Sequence, residues 1–311
     1  MQPARADTVA TYVMTGGSSG FGALTAATLA GTPKTRVIIG ARSPVDPADS
    51  LDVTGLDSVR AFATSVRERL GGSRIDGLLL NAGGIRSDAD GRTTDGYETT
   101  FVLNHLGHYL LARLLLPVLA AGARIVLTTS GTHDPATKAS LAVPRHADAG
   151  LLAHPERDPD RDAKPRRAGQ RAYTAAKLCA ILTARSLRAR PEVRERTATV
   201  IAFDPGQVFG TGLVRDLPAP MRVAWAVLGT GVGAPLRRFQ PTLNSAAAAG
   251  QALTDLADGS RRAPDERGYA ALRSGHLTWI DPSSLAVRDD LAEALWADSA
   301  QLVGLDGGAS G

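Results

Sequence analysis

A doubly wound parallel α/β sheet, three layers in a single domain, is the fold class this sequence predicts. Two observations carry it. Apolar, β-rich runs recur at residues 11–15, 36–40, 75–80, 124–129 and 197–203. Between them lie amphipathic segments at 21–30, 56–70, 96–119 and 173–190, each long enough for a crossover helix. Parallel neighbours require such crossovers, and their right-handedness winds helices onto both faces of the sheet. Further on, 245–257 reads as a helix, 268–273 as a strand and 291–303 as a terminal helix. Residues 135–171 break the rhythm: Pro144, Pro155, Pro159 and Pro165 interrupt a densely charged stretch too long for an ordinary connection. It reads as an insertion, a lid or a flap.

Composition excludes several function classes. With 43% hydrophobic and 21% charged residues, the 311-residue chain is that of an ordinary globular protein. Its net charge of +4 comes from 35 basic and 31 acidic residues that are interspersed, so no nucleic-acid stripe is expected. Cys179 is the only cysteine, which rules out an internal disulfide or a cysteine zinc site and fits a reducing cytoplasm. The apolar stretches read as too short, or too interrupted by arginine, for membrane insertion. His105 and His108 lie three apart on a helix without a third ligand at convincing spacing, so packing is the reading and no metal is expected.

The first chemical motif, Thr15-Gly16-Gly17-Ser18-Ser19-Gly20-Phe21-Gly22, joins the first strand to the first helix. Glycines let the backbone approach a pyrophosphate, and the helix N-terminus offers free N–H groups to it; a tight turn needing only flexibility is the alternative. At the end of the second strand stands Arg42, where an NAD-binding chain places an acid for the ribose hydroxyls. A guanidinium there favours a 2′-phosphate, hence NADP(H) over NAD(H). Asp52 and Val53 lie where an adenine ring would sit, with helix capping an equal role for the acid. Tyr173 and Lys177 are four apart and share a helical face. At roughly 5 Å and a dielectric of about 20, the ammonium favours phenolate by about 3 kcal/mol, moving the tyrosine some two pKa units toward neutrality.

These residues resemble the short-chain dehydrogenase/reductase family. The glycine loop is followed in order by Asn81-Ala82-Gly83, Asn104, Ser130, Tyr173-Thr174-Ala175-Ala176-Lys177, and Asp204-Pro205-Gly206-Gln207-Val208 with Thr211. The resemblance covers nearly the whole chain except 135–171. It implies a Rossmann fold, a catalytic set of Asn104, Ser130, Tyr173 and Lys177, and a water relay held near Lys177 by Asn104. It also implies a nicotinamide-side loop at Pro205, Gly206, Val208 and Thr211. Within the family the chain is similar to retinol dehydrogenases and light-dependent protochlorophyllide reductases, through Asn104-His105-Leu106-Gly107-His108, residues 210–213 and the terminal 295–305. The latter enzymes carry a functional cysteine directly after the Pro-Gly pair, where this chain has Gln207.

The resulting expectation is an NADP(H)-dependent reduction of a carbonyl, or oxidation of the alcohol, on a bulky apolar small molecule. Tyr173 is the proton donor or acceptor, and the apolar stretch 221–232, within a region at about 212–244, covers the substrate. Two alternatives stand beside it: a carbon–carbon double-bond reductase, and a dinucleotide-sensing protein without catalysis. Self-association through long helices is common in the family and is carried here as an expectation.

Overall fold

A computed structural model describes residues 9–209, 211, 219–228, 230, 240–264 and 267–305. Its sheet has seven strands in the order β2-β1-β3-β4-β5-β8-β9. The strands are β1 (Ala10–Thr15), β2 (Thr35–Gly40), β3 (Ile75–Leu80), β4 (Leu119–Thr128), β5 (Thr199–Asp204), β8 (Tyr269–Arg273) and β9 (His276–Trp279). All pairings are parallel except β8 with β9. A separate two-stranded pair joins β6 (Gln207–Val208) to β7 (Leu243–Asn244).

The helices are α1 (Gly20–Ala30), α2 (Leu56–Leu70), α3 (Thr99–Phe101), α4 (Gly107–Leu115), α5 (Ala149–Ala153) and α6 (Pro165–Ala189). They are followed by α7 (Pro191–Glu195), α8 (Ala219–Leu228), α9 (Ala246–Asp258) and α10 (Asp289–Leu302). Two apolar layers sandwich the sheet. One packs Phe62, Tyr109, Leu178 and Trp296, so α2, α4, α6 and α10 share a face. The other packs Leu29 and Leu253, placing α1 and α9 opposite. The chain steps from β1 outward to β2, then returns to add β3 on the other side. That reversal opens a crevice at the carboxyl ends of the strands.

Two expectations are corrected, the start of one helix and the reading of the apolar stretches. The tyrosine-bearing helix begins at Pro165, not at 173; proline is favoured in a first helical turn, and Arg166, Arg167 and Arg171 of the charged stretch belong to the helix. The segment before it is docked: Ala147, Ala149 and Ala153 are buried in the main core, and the Thr174 hydroxyl donates to the Ala142 carbonyl at 2.7 Å. Asp162 gathers Arg145, Arg167 and Arg171. Thr99–Val118 is, by length and composition, long and apolar enough to cross a membrane, Arg113 notwithstanding, but its side chains are mostly buried in this core. Between α3 and α4 this stretch makes one π-helical turn, Val102–Leu106.

Candidate active site

The crevice is a cleft of about 370 Å³. It is lined by Gly16, Ser18, Ser19, Gly20, Phe21 and Gly22 from the first turn, and by Arg42, Asp52 and Val53 beyond β2. Asn81, Ala82 and Gly83 line it after β3, Ser130 after β4, Tyr173 and Lys177 on α6, and Pro205, Gly206, Val208 and Thr211 after β5. Every expected cofactor or catalytic position therefore meets in one place except two, Thr15 and Asn104, which lie beneath it. Of the region expected to cover the substrate, residues 212–218, 229 and 231–239 fall outside the described residues, as does Gly210.

Thr15 is buried, and its hydroxyl accepts from the amides of Asn81 and Ala82 at 2.9 and 3.0 Å. This ties the tip of β1 to the tip of β3. Its own proton then faces His108 Nε2, 2.9 Å away, which assigns the remaining imidazole proton to Nδ1, against the Asn104 carbonyl. Asn104 clamps Gly84: its Oδ1 accepts the Gly84 amide at 3.3 Å and its Nδ2 donates to the Gly84 carbonyl at 2.9 Å. A Cβ on Gly83 would lie 2.8 Å from Asn104 Oδ1 and 3.2 Å from Lys177 Nζ, so the two side chains converge under that glycine.

The first turn fits a phosphate. Gly16 has φ +67°, and a Cβ there would sit 2.8 Å from the Ala82 nitrogen. A Cβ on Gly22 would sit 2.2 Å from the Gly16 carbonyl oxygen. No side chain caps α1 and no acid stands in its first turn, which leaves the N–H end open to an anion. Arg42 is exposed at the far rim, with no hydrogen bond or ion pair among the described residues. Asp52 does not cap α2, which starts after Gly55 without a side-chain cap; its Oδ1 accepts the Thr54 amide and hydroxyl at 3.0 and 2.7 Å in the turn ahead of the helix. Val53 is buried against Gly107.

Lys177 Nζ donates to the Thr128 carbonyl at 3.1 Å, and the Thr129 hydroxyl donates to the Lys177 carbonyl at 2.7 Å. The ammonium stands 5.7 Å from the Tyr173 ring centre. Burial pushes Tyr173 up to about 12, against the pull of a Ser130 hydrogen bond and with the Asp204 charge adding to the rise. Burial pushes Lys177 down to about 8, opposed by Asp204. The expected shift of the phenol toward neutrality is thus reversed, with desolvation of the phenol the largest cause. Tyr173 holds its proton firmly, as an acid would.

Sequence reasoning gave no role to Thr128, Thr129, Gly84, Arg86, Leu103 or Thr54, all on the cleft wall. It also missed Asp204, quoted as part of a motif but assigned no role. Its carboxylate is buried, receives the Gly206 amide at 2.9 Å and pairs with Arg273 at 2.8 Å. His105 meets Ser299 and His108 meets Thr15, and no cluster of three metal-ligating side chains occurs among the described residues. A second cavity, about 410 Å³, shares Ser130 and Gly206 with the first.

Residues 10–140 match the short chain dehydrogenase family model. Protochlorophyllide reductase A of Oryza sativa subsp. japonica is 32% identical over 66% of this chain and 59% of its own length. The chain thus spans well under two thirds of this first curated relative. Dehydrogenase/reductase SDR family member 13 of Homo sapiens is 30% identical over 96% of this chain and 74% of that protein. Among solved structures, an uncharacterized protein from Mycobacterium paratuberculosis superposes with a TM-score of 0.65 and 25% identity, over 96% of this chain and 95% of that one. The NADPH-bound carbonyl reductase from chicken fatty liver shares the fold, with a TM-score of 0.56 and 18% identity over 88% and 95% of the two chains.

Proposed function

The chain belongs to the short-chain dehydrogenase family, and from that premise we propose that it is an NADP(H)-dependent oxidoreductase acting on a carbonyl or the corresponding alcohol. One observation carries the reading: an uncapped glycine turn, Arg42, Ser130, Tyr173 and Lys177 line a single cleft. The turn and Arg42 would hold the pyrophosphate and 2′-phosphate. Asn81 to Gly83 and Pro205 to Val208 would flank the nicotinamide. When bound there, the reduced cofactor supplies the hydride for the carbonyl carbon.

The chain's own residues handle the oxygen. The Ser130 hydroxyl hydrogen-bonds it, and Tyr173, its proton secured by burial, delivers that proton as the carbonyl π bond breaks. Lys177, cationic below about 8, offsets the negative charge left on the phenol. Ile85, Leu141 and Trp225 pack beside Tyr173, which supports a substrate with an apolar body.

Double-bond reduction lacks a donor of the thiol kind: Gln207 follows the Pro-Gly pair, and Cys179 is buried with its thiol pushed up. A purely sensing role leaves Tyr173 and Lys177 without work. The test is NADPH consumption with a panel of aryl ketones. Tyr173→Phe should lower kcat about 10²- to 10⁴-fold while still binding NADPH; turnover undiminished in that variant would refute the assignment.

A further inference from the structure

The second cavity assigns a substrate class. We propose that it seats a carboxylate, or a like anionic group, borne by the carbonyl substrate, with Lys138 as its counter-ion. The inference rests on the oxidoreductase reading above and narrows it. The cavity adjoins the reacting position, because Ser130 and Gly206 wall both spaces. Its wall is polar where the surroundings of Tyr173 are apolar: Thr132, Gln207, Thr242 and Arg273 face it. Its charges are Lys138, Arg273 and Asp204. Arg273 is spent on Asp204 at 2.8 Å, which leaves the Lys138 charge uncompensated. No ion pair engages the exposed Lys138 among the described residues.

Lys138 also lies in a turn tied to the residue after Ser130. It sits in the left-handed region, φ 50°, and closes a short turn by donating its amide to the Pro135 carbonyl at 3.1 Å. In the same turn, the Thr137 hydroxyl shares its proton between the Asp134 carbonyl at 2.7 Å and the carbonyl of Gly131, next to Ser130, at 3.0 Å. A lysine seldom takes this conformation without local support. Three residues on, Leu141 joins the apolar cluster at Tyr173. One short segment therefore offers an apolar contact on the Tyr173 side and a cation on the far side of Ser130, the pattern that suits an amphipathic oxo-acid.

The experiment measures NADPH-dependent reduction of 4-acetylbenzoate and 3-(4-acetylphenyl)propanoate against their methyl esters. It compares wild type, Lys138→Ala and Lys138→Arg. Wild type should prefer an acid over its ester by about 2- to 5-fold in kcat/KM, through KM, the range of a solvated charge pair. Lys138→Ala should erase that preference with ester turnover unchanged, and Lys138→Arg should keep it. An acid no better than its ester, or a preference that survives Lys138→Ala, overturns the proposal and leaves the oxidoreductase reading intact. If no ketone is reduced, that reading fails instead. Calorimetric titration of the acids into NADP⁺-saturated protein then decides the cavity: binding lost in Lys138→Ala supports it, and no binding overturns it.

Discussion

Lys177 Nζ donates to the carbonyl oxygen of Thr128 at 3.1 Å, so the ammonium that faces Tyr173 is anchored to the last residue of β4. Strand and helix thereby fix the distance between the acid and its supporting charge. Burial sets the pH window, since Lys177 loses its proton near 8. Ketone reduction should be level below that value and fall as pH rises through it, because a neutral amine no longer offsets the charge left on the phenol. Lys177→Met should be slower and lack this limb; a profile of kcat/KM from pH 6 to 10 checks both. An identical limb in the variant would assign it elsewhere.

Gly22 has no room for a methyl group, because the added carbon would meet the Gly16 carbonyl oxygen at 2.2 Å. Backbone cannot yield as a flexible side chain would. Gly22→Ala is expected to cost about 1–3 kcal/mol of stability and to weaken NADPH binding, read by urea denaturation and fluorescence titration.

Asn104 has its effect through Gly84, whose amide and carbonyl it satisfies from a buried position. Asn104→Ala leaves both groups unpaired, as well as the Thr100 carbonyl that its Nδ2 also reaches at 2.9 Å. The expected loss is about 1–3 kcal/mol, with KM for NADPH raised, since the Gly83–Gly84 segment borders the cleft. Stability unchanged on denaturation would contradict the clamp.

Acid should weaken the fold in a characteristic way. Burial holds His105 and His108 neutral down to about 3, with the charges of His108 and Lys177 respectively adding to the fall. Burial also pushes Glu98 up to about 7 against its hydrogen bonds from Thr100 and Phe101. Between pH 6.5 and 4.5 the unfolded chain takes up two histidine protons that the fold refuses. The fold meanwhile keeps one on Glu98 that the unfolded chain releases. These three groups together bind about one net proton on unfolding, a fall of about 1.4 kcal/mol for each unit of acidification, and His133, which burial also pushes down, adds to that fall. Glu98→Gln removes the offset and should steepen the fall by about 1.4 kcal/mol per unit. Denaturation at pH 7 and 5 distinguishes the two slopes.

Much of this architecture was legible. Strong periodicity placed α2 at 56–70 and β3 at 75–80 as observed, and ordered motifs placed the cleft residues. What escaped has physical causes. β4 starts early, at Leu119, through an irregular stretch with Gly122 at φ +74° and a shifted register on β3. β9, an edge strand of 4 residues, alternates polar with apolar but is too short to announce itself. Thr15 and Asn104 carry recognisable motif positions, but whether such a residue faces the ligand or props the loop depends on depth, which no spacing encodes. Desolvation of Tyr173 is likewise a property of the packed helix, invisible to a two-charge calculation. The bay beyond Ser130 is assembled from segments about 130 residues apart in sequence, Lys138 and Arg273 among them.

Arg42 offers the most direct test of the central claim, since it is exposed at the cleft rim and lies apart from the chemistry. Nicotinamide fluorescence would be titrated with NADPH and NADH on wild type and Arg42→Ala. The account predicts tight NADPH binding that weakens about 10- to 100-fold in the variant, the worth of one charge-assisted phosphate contact, with NADH binding unchanged. Binding of neither cofactor by the wild type would contradict it.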